Sequence, residues 1–93
     1  MQLVWSVSFT RSVKRPQRQS PNMKAPIAEA LNQLELDPFH SSLRTHKLKG
    51  DLSDRYTCSV TYSDRIIFKF VTNPESEEEE IFLLAIGSHD EVY

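Results

Sequence analysis

Cysteine and glycine are scarce in this sequence, and long apolar runs are missing. Its 93 residues hold a single cysteine, Cys58, which excludes an internal disulfide and a cysteine-rich zinc site. Cys58 falls in an alternating apolar series and reads as a buried packing residue. Two glycines, Gly50 and Gly87, are too few for the loops that cradle nucleotide phosphates, and neither zinc-ligand spacing nor a serine triad is present. The longest apolar stretch, Ile81 to Ile86, is far shorter than the roughly 20 residues of a membrane span. No basic segment followed by a long apolar run opens the chain, so the expected location is cytoplasmic, with no membrane partner. With 39% hydrophobic residues, the chain can bury one core but not two, which makes residues 1–93 a single domain.

The formal net charge of −2 conceals an asymmetry. Residues 1–60 hold nine Lys or Arg against five Asp or Glu, whereas residues 61–93 hold two against eight. Four of those acids are the run Glu77 to Glu80, which with Glu75 and Ser76 reads as a solvated turn between strands. The rest of the surface is mildly basic, which permits a polyanionic partner without requiring one.

Hydrophobic periodicity divides the chain into a helical front and a sheet-forming back. Gln2 to Val7 alternates and contains Val and Trp, as a strand would. Ser8 is a candidate N-cap for a helix carrying Phe9 and Val13 on one face, stopped or kinked around Pro16. Ser20 and Pro21 signal a second helix start, with the stable helix beginning near Ala25 because of Pro26. Ile27, Ala30, Leu31 and Leu34 form its apolar face, and Asp37 with Pro38 ends it. A polar loop follows to Thr45. Four back-half segments read as strands: Leu48 to Leu52, interrupted by Gly50; Tyr56 to Tyr62; Arg65 to Val71; and Ile81 to Ile86, which is apolar throughout as if covered on both sides and ends at Gly87. The expected class is α+β: a small, mostly antiparallel sheet of about four strands with two N-terminal helices packed on one face.

Pairing arithmetic then gathers scattered polar residues. A hairpin with Val71 opposite Glu80 sets Arg65 opposite Ile86, since paired residue numbers keep a constant sum. His89 then leaves the sheet beside Arg65 and Asp64. Pairing Gly50 with Arg55 likewise sets His46 opposite Ser59. Arg65, His46, His89, Asp64 and the terminal Tyr93 are thereby expected to share one groove.

Three segments carry a family resemblance: Arg65-Ile66-Ile67-Phe68, His46-Lys47-Leu48-Lys49-Gly50 and the tail Ile86-Gly87-Ser88-His89-Asp90-Glu91-Val92-Tyr93. In their order and spacing the chain resembles, over almost its whole length, the RelE superfamily of bacterial type II toxin–antitoxin toxins (the RelE/ParE fold). It is most similar to the YafQ-like branch, in which a His and an aromatic residue end the chain and a second His precedes a Lys-Leu-type strand. The resemblance implies an mRNA interferase: an endoribonuclease that inhibits translation by cutting mRNA, commonly in the ribosomal A site, with neither metal nor other cofactor. It also implies a cognate antitoxin, and contact with operator DNA only as a toxin–antitoxin complex.

Metal-free RNA cleavage uses the 2′-hydroxyl as nucleophile. The protein must remove its proton, stabilise the phosphorane and protonate the leaving 5′-oxygen, which gives a 2′,3′-cyclic phosphate. On the resemblance, His89 is the candidate general acid and Arg65 the phosphate clamp, with a cross-strand partner for Asp64 as the alternative role for Arg65. His46 is a base, a substrate-orienting group or a plain edge-strand residue. Asp64 matches a carboxylate of the YafQ-like branch, although turn aspartates also serve local hydrogen bonding. Tyr93 either meets a base or phosphate or pins the tail. Val60 stands where that branch has a further His, which removes one proton-transfer group. Lys47, Lys49, Lys14, Arg15 and Arg18, together with Lys24, are candidate contacts to mRNA or rRNA phosphates, or ordinary solubilising charge. Two other readings stay open: a ParE-like toxin that binds DNA gyrase and cuts nothing, and an inactive relative that binds only its antitoxin.

Overall fold

The computed structural model describes residues 1–88, and for residues 16–19 and 52 the backbone alone. The chain opens with a short strand β1 (Leu3–Trp5), followed by helices α1 (Val7–Gln19) and α2 (Lys24–Leu36). Strands β2 (His46–Lys47), β3 (Tyr56–Ser59), β4 (Asp64–Thr72) and β5 (Glu79–Ser88) complete it. The sheet has five strands in the order β1-β5-β4-β3-β2, one more than expected, because the N-terminal segment joins it as an edge. β1 runs parallel to β5 and every other pairing is antiparallel.

Local chemistry explains the helix boundaries. Ser6 Oγ accepts a hydrogen bond of 2.9 Å from the Phe9 amide, the side-chain contact that satisfies an orphan N–H of the first turn. Ser6 therefore caps α1, in place of the expected Ser8, and Val7 belongs to the helix and not to the strand. Ser8 instead donates to the Leu84 carbonyl at 2.8 Å, tying the helix to β5. α1 also continues through Pro16 to Gln19. Pro21 opens a 3₁₀ turn, Pro21–Met23, and α2 starts at Lys24. Pro26 is then the third residue of α2, where no intrahelical partner exists for the missing N–H.

The helices bury Phe9, Val13, Ile27, Ala30 and Leu34 against Cys58, Ile66, Phe68, Ile81, Leu83 and Ile86 on one face of the sheet. Phe39, in the loop after α2, stacks on Phe70 at a centroid distance of 5.9 Å and meets Tyr56 edge-on at 6.0 Å. It thus closes one side of this core with aromatic surface. Phe82, on the other face, is half-buried under Lys69, whose Nζ lies 5.9 Å from the ring centroid. β5 is therefore fully covered on one side only, not on both.

Two registers differ from expectation. Val71 does pair with Glu80, but the constant sum breaks between Ile67 and Phe68: Phe68 stands opposite Leu83 and Ile67 opposite Ala85. Leu84 is the extra residue of a β-bulge, so Arg65 faces Gly87 and not Ile86, and pairing continues past Gly87 to Ser88. On the other edge, His46 pairs with Thr57, two residues from the expected Ser59. The expected strand from Leu48 to Leu52 is absent. Gly50 adopts a left-handed φ of +72°, which breaks strand geometry, and residues Gly50–Leu52 form a 3₁₀ turn. β3 stops at Ser59, so Tyr62 lies in the turn that follows.

Candidate active site

Directly paired residues share a sheet face, and positions two apart alternate back to it. Arg65, Ser59, Ile67, Thr57 and His46 consequently lie on the face turned away from the helices, with Arg65 opposite Ser59 and His46 opposite Thr57. Arg65 and His46 thus share a face on different rows, but of the residues expected to share one groove only Arg65 is among those that line the groove beside it; His46 and Asp64 are not. Asp64 begins β4 and pairs with Ser88, the last described residue. His89 and Tyr93 lie outside the described residues, but His89 is the next residue after Ser88, one peptide link from the position opposite Asp64.

The Arg65 guanidinium is half-buried and donates through Nη1 to Ser59 Oγ. Its Nε is buried without a hydrogen-bond partner among the described residues, and no described carboxylate pairs with this arginine. The expected alternative, an ion pair with Asp64, is not what Asp64 does. The Asp64 carboxylate accepts from Thr61 Oγ1 at 2.8 Å and from Ser63 Oγ at 3.5 Å. The Asp64 amide in turn donates to Thr61 Oγ1 at 3.2 Å, and the Val60 amide donates to the Asp64 carbonyl at 2.9 Å. Asp64 is therefore the organiser of the β3–β4 turn, in the manner of aspartates that bond neighbouring backbone and hydroxyls.

His46 Nδ1 lies 3.2 Å from the Arg44 carbonyl. A carbonyl only accepts, so in this contact the ring donates through its Nδ1–H.

Beside Arg65 opens a groove of about 660 Å³ lined by Ser42, Arg44, Ser59, Val60, Thr61, Tyr62, Ser63 and Arg65. Among the described residues its lining includes two arginines and no acid. Arg44 was not among the sequence candidates; it sits just past the 3₁₀ turn Ser41–Leu43 in a left-handed conformation, φ 50°. No periodicity marks a lone Arg in a polar loop, and only the folded chain brings it to Arg65.

The remaining candidates scatter. Lys47 pairs with Tyr56 and so belongs to the other face from His46, at the sheet edge, with Lys49 exposed just beyond. Lys14 and Arg15 are exposed on α1, in the helical layer and away from the open sheet face. Arg18 is in α1, its side chain outside the description, and Lys24 begins α2. Among the described residues, no three His, Cys, Asp or Glu side chains converge as a metal site, and no helix is long and apolar enough to cross a membrane. Cys58, fully buried, has its thiol pushed up to about 12 by burial, which outweighs the opposing Ile66 backbone hydrogen bond and the Arg65 charge.

An edge strand parallel to its neighbour, two helices on one face and an otherwise antiparallel five-stranded sheet make up the RelE/ParE-like toxin fold. Solved structures carry the likeness over the full chain. A YoeB/ParE toxin from Agrobacterium tumefaciens superposes with a TM-score of 0.76 at 21% identity, covering 96% of this chain and 99% of that one. YafQ from E. coli gives 0.76 at 14%, covering 99% and 97%. The E. coli DinJ–YafQ complex gives 0.73 at 16%, with the same coverage. At these identities the fold is shared and the branch is not resolved. No protein-family model matches the sequence, nor does any curated protein.

Proposed function

We propose that this chain is the toxin of a type II toxin–antitoxin pair and acts as an mRNA interferase, cutting mRNA without a metal, on the ribosome. The observation that carries the reading is the register of β4 on β5. Arg65, which lines the groove, stands opposite Gly87, and Asp64 stands opposite Ser88, the residue that precedes His89 in the sequence.

The chemistry follows from the residues. A substrate phosphate on the open face meets the Arg65 guanidinium, which keeps its charge at any physiological pH and matches two phosphate oxygens. Ser59 holds that guanidinium from the neighbouring strand. His46 takes the proton from the 2′-hydroxyl as that oxygen attacks phosphorus. Charge on the phosphorane oxygens gathers against Arg65. His89, protonated, gives its proton to the departing 5′-oxygen, which leaves a 2′,3′-cyclic phosphate and a free 5′-hydroxyl. Asp64 contributes by fixing the turn that places Arg65, and Tyr93 offers an aromatic face for a base. The partner is a cognate antitoxin that covers this groove, a role consistent with the presence of DinJ beside YafQ in a structure of the same fold.

The test adds purified protein to a translating extract and maps both ends of the mRNA fragments. Cuts at codon positions, reduced about 100-fold or more by Arg65→Ala and by His89→Ala, are the expected result. Intact mRNA together with double-strand DNA breaks in cells would replace this reading with that of a gyrase-binding toxin.

A further inference from the structure

Tyr62 is the most exposed of the large hydrophobic side chains described, at 98%. An aromatic ring left wholly in water is unusual unless it has a partner to meet. Its setting is not that of a loose loop tip. The turn carrying it is closed by the Val60 and Thr61 amides on the Asp64 carbonyl, at 2.9 and 3.4 Å, and by the Thr61 and Asp64 side chains bonding each other and each other's turn. The ring is thus presented from a braced support on the rim of the groove that contains Arg44 and Arg65. Across that groove, Arg44 is exposed and has no carboxylate partner among the described residues. Its left-handed backbone, φ 50° and ψ 42°, is one that a non-glycine residue adopts at some energetic expense and that concentrates at functional positions.

Two guanidiniums without a carboxylate partner among the described residues, and an exposed aromatic ring, around a groove whose described lining holds no acid, form a set suited to single-stranded nucleic acid, whose backbone offers phosphates and whose unstacked bases offer π-faces. We propose that this groove is a nucleotide subsite next to the scissile phosphate, in which Tyr62 stacks on a base and Arg44 takes the phosphate flanking the one held by Arg65. The site rests on the reading of the chain as an RNA-cutting enzyme and adds to it the groups that select and hold the neighbouring nucleotide. Tyr62 stacks without reading base edges, so it tightens the strand with little sequence preference.

The test measures binding of a fluorescently labelled, fully 2′-O-methylated single-stranded RNA, which has no nucleophile and is not cut. Anisotropy is followed for the full-length protein across a salt series. Tyr62→Ala is expected to weaken binding by about 5- to 100-fold, with Tyr62→Phe close to wild type. Arg44→Gln is expected to weaken it and to lower the salt slope by about one phosphate contact, with Arg44→Lys restoring most of both. Absence of binding by the wild-type protein, or wild-type affinity in Tyr62→Ala and Arg44→Gln, overturns the subsite. Fragment mapping in the translating extract separates the two ideas. Cutting undiminished in both variants removes the subsite and leaves the nuclease, whereas tight, Tyr62-dependent binding with intact mRNA keeps the subsite and removes the nuclease.

Discussion

At the scale of single residues, burial and hydrogen bonding sort the polar groups into those the fold consumes and those it leaves for chemistry. Cys58 is consumed. Burial pushes its thiol up to about 12 from an ordinary value of 9.0, so the folded state keeps its proton where the unfolded chain has lost it. Below pH 9 both states are protonated and the group has no effect on stability; from pH 9 upward the unfolded state alone ionises, and stability falls until about pH 12. Between pH 8 and pH 10, wild-type protein is therefore expected to lose about 1 kcal/mol more than Cys58→Ala, which lacks the titrating group. Urea denaturation of both proteins at the two pH values measures this, and equal losses would show that the thiol ionises as readily folded as unfolded. Asp64 is likewise largely consumed by the turn, a use that residue type and position already suggested and that only the hydrogen-bond partners decide. Arg65 is the contrast. It donates through Nη1 to Ser59, and its buried Nε has no hydrogen-bond partner among the described residues, an arrangement no local sequence pattern predicts.

At the scale of elements, the sequence was most legible where one period ran uninterrupted and least where a side chain at a boundary decided the outcome. The α2 face of Ile27, Ala30 and Leu34 is buried as its spacing predicts. The start of α1 was misjudged by two residues because Ser6 and Ser8 are equally good caps by type, and they differ only in what lies within reach: the Phe9 amide for one, the Leu84 carbonyl of β5 for the other. Ser6→Ala should therefore destabilise the protein by about 1 kcal/mol, and Ser8→Ala by less, since it removes an exposed side-chain bond and no cap. Chemical denaturation midpoints at constant m-value give both numbers, and the opposite ranking would return the cap to Ser8. The bulge at Leu84 accounts for the other misreading. With one residue inserted, the inward positions of β5 become Ile81, Leu83 and Ile86, so the alternation of a one-sided strand is scrambled into what looks like a continuous apolar run. The same insertion moved Arg65 from Ile86 to Gly87. A register computed from a turn is safe only up to the first bulge, and nothing in Ile81 to Ile86 announces one. Because the shift was a single residue, Asp64 and Arg65 still pair with the end of β5, at Ser88 and Gly87.

At the scale of the whole molecule, the acidic total poses the question of how such a chain could hold RNA. The answer lies in where the charges are. Glu77 and Glu78 belong to the turn joining β4 to β5, which Asn73 organises by accepting from the Glu75 and Ser76 amides at 2.9 and 3.4 Å, and Glu79 and Glu80, expected in that turn, instead open β5. Arg65 is at the other end of the same hairpin, and Arg44 lines the groove with it. Along β4, Arg65 lies six to seven residue steps, about 20–24 Å at strand rise, from Val71 and Thr72, which pair with Glu80 and Glu79, within a molecule whose longest extent is 38 Å. The Debye length at physiological salt is about 8 Å, so the glutamates are several screening lengths from the groove and the net charge is a poor guide to the field a phosphate meets there. Replacing Glu77, Glu78 and Glu79 by Gln should accordingly leave mRNA cutting in a translating extract within about twofold of wild type at 0.15 M salt, although the net charge changes sign. At about 0.01 M salt the screening length grows to roughly 30 Å, and the same triple variant should bind the 2′-O-methyl RNA strand measurably faster than wild type, because long-range repulsion then reaches the groove. Stopped-flow association at the two ionic strengths tests both halves. A large gain at 0.15 M would mean that the acidic turn lies close enough to the bound strand to repel it directly, and that the hairpin does not separate the two charges as described.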